Sequence, residues 1–329
     1  MSADLFYLPY TATTNPENLR RLLRSIQQQL ELDARYGGGV PYRRYLFTDK
    51  IKPLPQEALE FFDGGVFESN PFVQAANGLR FCMSMLRNEA IRYGRSIGAE
   101  WTMLCDSDTI IEPRPFPVPV RPFAIPNVYY QERQDETAEQ SLARIRSSEK
   151  SLFADGNSWF ILHRDLLFTF LFNEDFSGYS WEDNEFHFRI QGSGYKAEVV
   201  DITIIHSFHP HSERRIDPKV TSHNKAMATG IRWLIENGSI DARHTPPRVE
   251  VYEAEHPSWR SQVVLCPERQ QIFRLEPRAT ARYEVSGELY RFKWPFAQPD
   301  TFRLTDGKLL EISLFDQRER LAPRVGTGW

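Results

Sequence analysis

The stretch that most constrains this chain is Ala99-Glu-Trp-Thr-Met-Leu-Cys-Asp-Ser-Asp-Thr-Ile-Ile111, where a short apolar run leads directly into two acids one residue apart. Trp101, Thr102, Met103, Leu104 and Cys105 are too few for an amphipathic helix and suit a buried central strand. Asp106 and Asp108 then stand at its carboxyl end. Open α/β sheets bind ligands at that end, and carboxylates placed there hold a hard divalent cation able to neutralise a diphosphate. A strand followed by a polar turn is the plainer alternative, and Asp-x-Asp alone does not choose between them.

The flanking chain supplies the sheet such a strand needs. Leu5-Phe-Tyr-Leu-Pro-Tyr-Thr11 reads as a first strand, and Asn15-Pro-Glu17 as a helix start with Asn as cap and Pro at the first position. Leu19, Leu22, Leu23, Ile26 and Leu30 then fall on one helix face. Residues 42–48 read as a second strand ending at Asp49, and residues 65–68 as a third. Residues 77–97 predict a second amphipathic helix, with Leu79, Cys82, Met83, Leu86, Ala90, Tyr93 and Ile97 towards the core and Gly98 ending it. Strands alternating with helices indicate an α/β domain with a largely parallel sheet. Gly37-Gly38-Gly39 lacks the spacing and lysine of a P-loop and reads as a turn. The proline-rich residues 113–122 exclude helix and central strand and read as a surface connection. Residues 123–130 resume as a strand, and residues 137–150 as a charged helix anchored by Leu142 and Ile145.

With 329 residues and 41% hydrophobic content, the chain can bury a substantial core in one large or two modest domains. A net charge of −4 with acids and bases interspersed makes no electrostatic case for nucleic acid or an anionic membrane. No apolar run long enough to span a membrane occurs, and Met1-Ser-Ala-Asp-Leu5 lacks the basic and apolar regions of a secretory signal, so a cytoplasmic chain is expected. Cys82, Cys105 and Cys266 are far apart in apolar contexts, which suits buried thiols better than disulfides or a zinc site.

The second half carries further chemistry-bearing residues. In Asp155-Gly-Asn-Ser-Trp-Phe-Ile-Leu162, Gly156 permits close backbone approach to a ligand before an apolar strand, and Trp159 is either core or platform. In Gly178-Tyr-Ser-Trp-Glu-Asp-Asn-Glu-Phe-His-Phe-Arg-Ile190, helical spacing puts Glu182 and Asp183 in a first turn, where the helix dipole stabilises acids. A capping pair is the alternative; Trp181 beside them offers an aromatic face to a sugar ring. Residues 197–205 form a β-branched strand ending in His206-Ser-Phe-His-Pro-His211. Imidazole is a good manganese or zinc ligand, so His206 could complete a site begun by Asp106 and Asp108. His209-x-His211 as a local zinc site is less favoured, since no nearby acid or thiol clearly completes it.

This ordered set resembles the GT-A glycosyltransferases, nearest to the inverting family-2, β-galactosyltransferase and chondroitin-polymerase types, over roughly residues 3–235. It comprises Arg87-Asn88 ahead of Asp-Ser-Asp, then Gly-Asn-Ser-Trp-Phe, Trp-Glu-Asp-Asn-Glu-Phe and Ile-His-Ser. The resemblance implies a GT-A, Rossmann-like mixed sheet flanked by helices, Mn2+ (or Mg2+) as cofactor, and a nucleotide-sugar donor, a UDP-sugar, used on a carbohydrate acceptor in polysaccharide biosynthesis. It implies Asp106, Asp108 and His206 at the metal, Asp183 as catalytic base and Glu182 beside it holding the acceptor with Trp159 and Trp181. Thr11, Asp49, Arg87, Asp106 and Gly156 would contact the nucleotide and diphosphate. The chain departs from the pattern at Pro9-Tyr-Thr-Ala-Thr13, which lacks an arginine after the first strand, and in its proline-rich loop.

Beyond the boundary expected between residues 1–244 and 245–329, four stretches alternate apolar with polar residues, with Ser286-Gly287 and Asp306-Gly307 as turns. They predict a small all-β accessory module. Tyr290, Phe292, Trp294 and Phe296 fit a packed β core, with carbohydrate binding or homo-oligomer contacts as alternatives. Two rivals to transfer remain: a sugar nucleotidyltransferase, disfavoured because no glycine-rich signature follows the first strand, and a non-catalytic carbohydrate-binding protein, disfavoured by retention of Asp108 and Asp183.

Overall fold

The computed structural model describes residues 4–7, 17–36, 42–49, 54–75, 78–147, 159–178, 180–209, 217–238, 241, 246, 248–275, 278–294 and 300–311; at 4–7, 73–75, 78–80 and 280 this covers the backbone alone. The chain divides into two compact units, residues 1–221 with 242–246, and residues 222–241 with 247–329.

The first unit is a mixed sheet with helices on both faces. Its strands are β1 (Asp4–Tyr7), β2 (Arg43–Asp49), β3 (Gly65–Ser69), β6 (Trp101–Cys105), β7 (Thr109–Ile111), β8 (Phe123–Tyr130), β9 (Phe160–His163) and β10 (Glu198–His206), in the order β3-β2-β1-β6-β9-β8-β10-β7. A separate hairpin pairs β4 (Phe72–Ala75) with β5 (Gly78–Phe81). The helices are α1 (Glu17–Tyr36), α2 (Gln56–Phe61), α3 (Met83–Ser96), α4 (Ala138–Ser147), α5 (Arg164–Thr169) and α6 (Glu182–Gly192). Strands β3, β2, β1 and β6 are mutually parallel. β9 runs against both β6 and β8, and β10 lies parallel to β8 and antiparallel to β7.

Alternation along β6 explains the two cores. Met103 and Cys105 pack with Leu22 and Ile26 of α1 and Ala58 and Phe61 of α2. Leu104 packs on the other face with Ala90 and Ile91 of α3, Leu166 and Leu167 of α5, and Phe186 and Ile190 of α6. The start of α4 is fixed by a reciprocal cap: Gln140 N donates to Thr137 Oγ1 at 3.2 Å and Thr137 N to Gln140 Oε1 at 2.9 Å.

Two local expectations are corrected. The helix expected from residue 77 begins at Met83, because residues 78–81 pair with β4 and Cys82 N donates to Pro71 O at 2.8 Å. Strand pairing there takes backbone groups that the apolar periodicity assigned to a helix. The proline-rich segment has no regular structure, yet it is not purely superficial: Phe116 is buried edge-on against Tyr42 at 5.7 Å.

The second unit is a closed barrel of β11 (Glu250–His256), β12 (Trp259–Cys266), β13 (Gln271–Arg274), β14 (Ala279–Ser286), β15 (Leu289–Lys293), β16 (Asp300–Thr305) and β17 (Lys308–Glu311). Neighbouring strands are antiparallel except for β11 and β17, whose parallel pairing closes the barrel. Residues 262–275, one of the stretches that alternate apolar with polar residues, break into two strands at a short turn, where Gln270 takes a left-handed φ of 52°. Val263, Leu265, Ile272, Phe292 and Phe302 fill the interior. The part of α7 (Pro218–Glu236) in this unit stacks Trp233 on Phe273 at 5.2 Å. All three cysteines are buried thiols outside any disulfide. Among the described residues no helix is long and apolar enough to cross a membrane.

Candidate functional site

Six strands of the sheet run one way, so β2, β6, β8 and β10 end on one edge, while β7 and β9 begin there. Asp108 lies in the turn between β6 and β7, and His206 is the last residue of β10, paired with Thr109. His209 follows three residues later. Asp108 Oδ1 is 3.4 Å from His206 Nε2, and Asp108 Oδ2 is 3.7 Å from His209 Nε2. One ligand atom from each residue lies within 4.8 Å of the others. Ligands about 2.1 Å from a shared cation sit roughly 3 to 3.5 Å apart, so the set is close to the spacing of a divalent ion. One carboxylate and two imidazoles suit manganese or zinc better than magnesium.

The resemblance implies Asp106, Asp108 and His206 at the metal; Asp108 and His206 are in this group as well. Asp106 turns to the buried guanidinium of Arg87 on α3, with Oδ1 3.6 Å from Nη2, and His209 takes the third place beside Asp108. Arg87 also lies 3.4 Å from Glu182 Oε1 through Nη1 and stands over the Phe172 ring at 5.1 Å. Among the described residues Arg87 Nε and Nη1 and Glu182 Oε2 have no hydrogen-bond partner. A buried guanidinium with unused donors is costly, and the oxygens of an anionic ligand would satisfy it. Arg21 of α1 brings a second guanidinium, its Nη1 3.9 Å from Asp108 Oδ2.

The charges shift one another. Burial raises the Glu182 carboxyl to about 7, against the opposing pull of Arg87 and with help from the Asp183 charge. Burial likewise raises Asp106, opposed by Arg87 and reinforced by Asp108, although 27% of its side chain reaches solvent and moderates the effect. Of the acid pair at the start of α6, Glu182 is buried against Arg87 whereas Asp183 is half-exposed. Asp183 Oδ1 accepts from Asn184 N at 2.8 Å and from Asn184 Nδ2 at 3.1 Å. Ahead of them Ser180 and Trp181 take left-handed φ values of 107° and 69°, a strain of about 1–3 kcal/mol each that tends to occur at functional sites.

Asp49 ends β2 on the same edge and is buried. Trp159, read as either core or platform, is buried: its indole donates to Thr109 Oγ1 at 2.7 Å and its ring meets that of His206 edge-on at 5.4 Å. The indole N–H needs a partner once buried, and Thr109 supplies it. Trp181 is half-exposed beside the acid pair. Thr11, Gly156 and His211 lie outside the described residues. Sequence reasoning missed Arg21 and left His209 open. The signal for Arg21 is the polar series Asn18, Arg21, Ser25 and Gln28, which recurs at helical spacing beside the leucines of α1.

No protein-family model and no curated protein matches the chain. Among solved structures it is similar to GalNAc-T7 with UDP, GalNAc and Mn2+, at 10% identity and a TM-score of 0.42, covering 92% of this chain and 67% of that one. It is also similar to a mycobacterial protein at 14% identity and a TM-score of 0.40, covering 79% and 82%. A third is Mycobacterium tuberculosis glucosyl-3-phosphoglycerate synthase with Mn2+ and UDP-glucose, at 13% identity and a TM-score of 0.39, covering 79% and 85%. At this level of likeness the chemistry of the site rests on its own residues.

Proposed function

We propose that this chain is a metal-dependent, inverting glycosyltransferase that moves a sugar from a UDP-sugar to a carbohydrate or glycoconjugate acceptor. The observation that carries the reading is the convergence, on one sheet edge, of the Asp108–His206–His209 group, the buried Arg87 and half-buried Arg21 guanidiniums, and the Glu182–Asp183 pair. Bound by those three residues, Mn2+ would supply Lewis-acid stabilisation of the charge that develops on a leaving diphosphate. Arg87 and Arg21 offer their donors to phosphate oxygens. Asp49 belongs to the nucleotide side, together with Thr11, Asp106 and Gly156.

Inversion needs a carboxylate on the face opposite the leaving group to accept the proton of the acceptor hydroxyl. Glu182 is held against Arg87, whereas half-exposed Asp183 is reachable, so Asp183 is assigned as the base. Trp181 beside it offers a ring to the acceptor sugar. Residues 1–244 are proposed to carry the transfer and residues 245–329 to form the accessory module.

The test is transfer from a panel of nucleotide sugars with Mn2+ and with excess EDTA, using wild type, Asp108→Ala and Asp183→Asn. EDTA and Asp108→Ala should abolish transfer, and Asp183→Asn should cut turnover by about 10²–10⁴-fold with donor binding retained. Proton NMR of the product should show the anomeric configuration opposite to the donor's. Full activity in EDTA, or donor binding without transfer or hydrolysis under any condition, would sink the reading; the second result favours a carbohydrate-binding protein.

A further inference from the structure

The buried face of α1 is not purely apolar. Asn18, Ser25 and Gln28 are buried there, and with Arg21 they form a polar stripe along one side of the helix. Each member is engaged. Arg21 Nη2 donates to Asn18 Oδ1 at 3.1 Å while its other terminal nitrogen faces Asp108. The Ser25 hydroxyl lies 2.6 Å from the Ser207 hydroxyl. Gln28 Oε1 accepts from Gln131 Nε2 at 2.8 Å.

Gln131 follows directly on β8 and is itself buried. Its Nε2 also donates to Glu136 O at 2.9 Å, and its Oε1 accepts from Phe208 N at 3.1 Å. Its backbone N donates to His206 O at 3.0 Å, and Ser207 N donates to Asp108 O at 2.9 Å. His206, Ser207 and Phe208 are therefore each hydrogen-bonded to buried partners, and the third of these residues leads directly into His209. Strand pairing fixes His206. It does not reach His209, which lies in irregular chain.

We propose that Gln131, supported by Gln28 and Ser25, is a positioning residue of the metal centre: it holds the 206–209 segment so that His209 meets Asp108 at ligand spacing. The proposal rests on the metal reading given above. Its physical basis is that a ligand on irregular chain binds well only if the chain is ordered beforehand, and partners behind the ligands do this at metal sites, typically altering affinity 10–100-fold when removed. The amide of Gln131 suits the task because it donates and accepts at once, linking α1 and the turn before α4 to the Phe208 amide.

The test is Mn2+ titration of the full chain, followed by electron paramagnetic resonance, alongside thermal unfolding of the metal-free protein. Gln131→Met keeps length and volume but removes the amide, and it should weaken Mn2+ binding by about 10–100-fold. Ser25→Ala, a milder change that keeps the helix, should weaken binding several-fold in the same direction. Leu142→Ala, in the neighbouring apolar cluster of α4, should lower the melting temperature with little change in Mn2+ affinity. Wild-type affinity in both Gln131→Met and Ser25→Ala, or an equal loss in Leu142→Ala, would overturn the positioning role. A wild-type chain that binds no Mn2+ would instead overturn the metal reading, and this proposal with it.

Discussion

At the scale of single residues, the site is governed by how few charges are asked to neutralise one another in a buried space. Arg87 faces two carboxylates, and neither contact is short enough to be a strong hydrogen bond. Glu182 is left with a carboxyl raised to about 7, which sets the sign of a pH dependence. A folded-state pKa above the unfolded one contributes stability that is fully present below the unfolded value near 4.5 and is lost as pH rises through the folded value near 7. Thermal unfolding of the metal-free chain across that window should show this loss in wild type relative to Glu182→Gln. Identical slopes in the two proteins would mean that Glu182 titrates normally. Other carboxylates, such as Glu112, held down by its bond to Arg146, act in the opposite direction, so the difference between the proteins is the informative quantity.

At the scale of elements, α6 joins chemistry to stability. Its first turn presents Glu182 and Asp183, and one turn on, Glu185 and Arg189 form an ion pair with both side chains fully buried. Phe186, between them, stacks on Phe172 at 3.8 Å and anchors the helix against the sheet. Removing one member of such a pair strands the other charge in the core, so Arg189→Met should cost about 3–5 kcal/mol in chemical denaturation. The double variant Glu185→Leu with Arg189→Met should recover much of that loss. If the single variant costs less than 1 kcal/mol, roughly the worth of an exposed pair, the pair is not as dry as its burial indicates.

At the scale of the whole molecule, the chain has two compact units with separate cores, one built around the sheet and one inside the barrel. The proposed donor and metal contacts all fall in the first. Calorimetry of the full chain with saturating Mn2+ present throughout, comparing no UDP with UDP at 100 times its dissociation constant, should therefore raise the stability of the sheet unit by about 2.7 kcal/mol and leave the barrel transition in place. A shift of both transitions together would show that the units unfold as one.

The sequence by itself determined the elements that rest on local pattern. The apolar run 101–105, the helical face of Leu22 and Ile26, the β-branched approach to His206, the turn at Asp306-Gly307 and, one residue on from its expected place, the turn at Gly287-Glu288 are legible because strand and helix periodicities and turn chemistry act over a few residues. The placing of Asp108 just past β6 and of His206 at the end of β10 was legible for the same reason, each being tied to a strand end. What only the tertiary structure decided depends on partners far away in sequence. Residues 78–81 became a strand because β4 offered them an edge, and Asp106 stands against Arg87, whose buried guanidinium comes from α3. Trp159 went into the core because Thr109 could take its N–H, and His209 joined Asp108 through a segment tied to α1 and β8. Periodicity cannot encode such pairings, because the physical cause of each is a neighbour that only the folded chain provides.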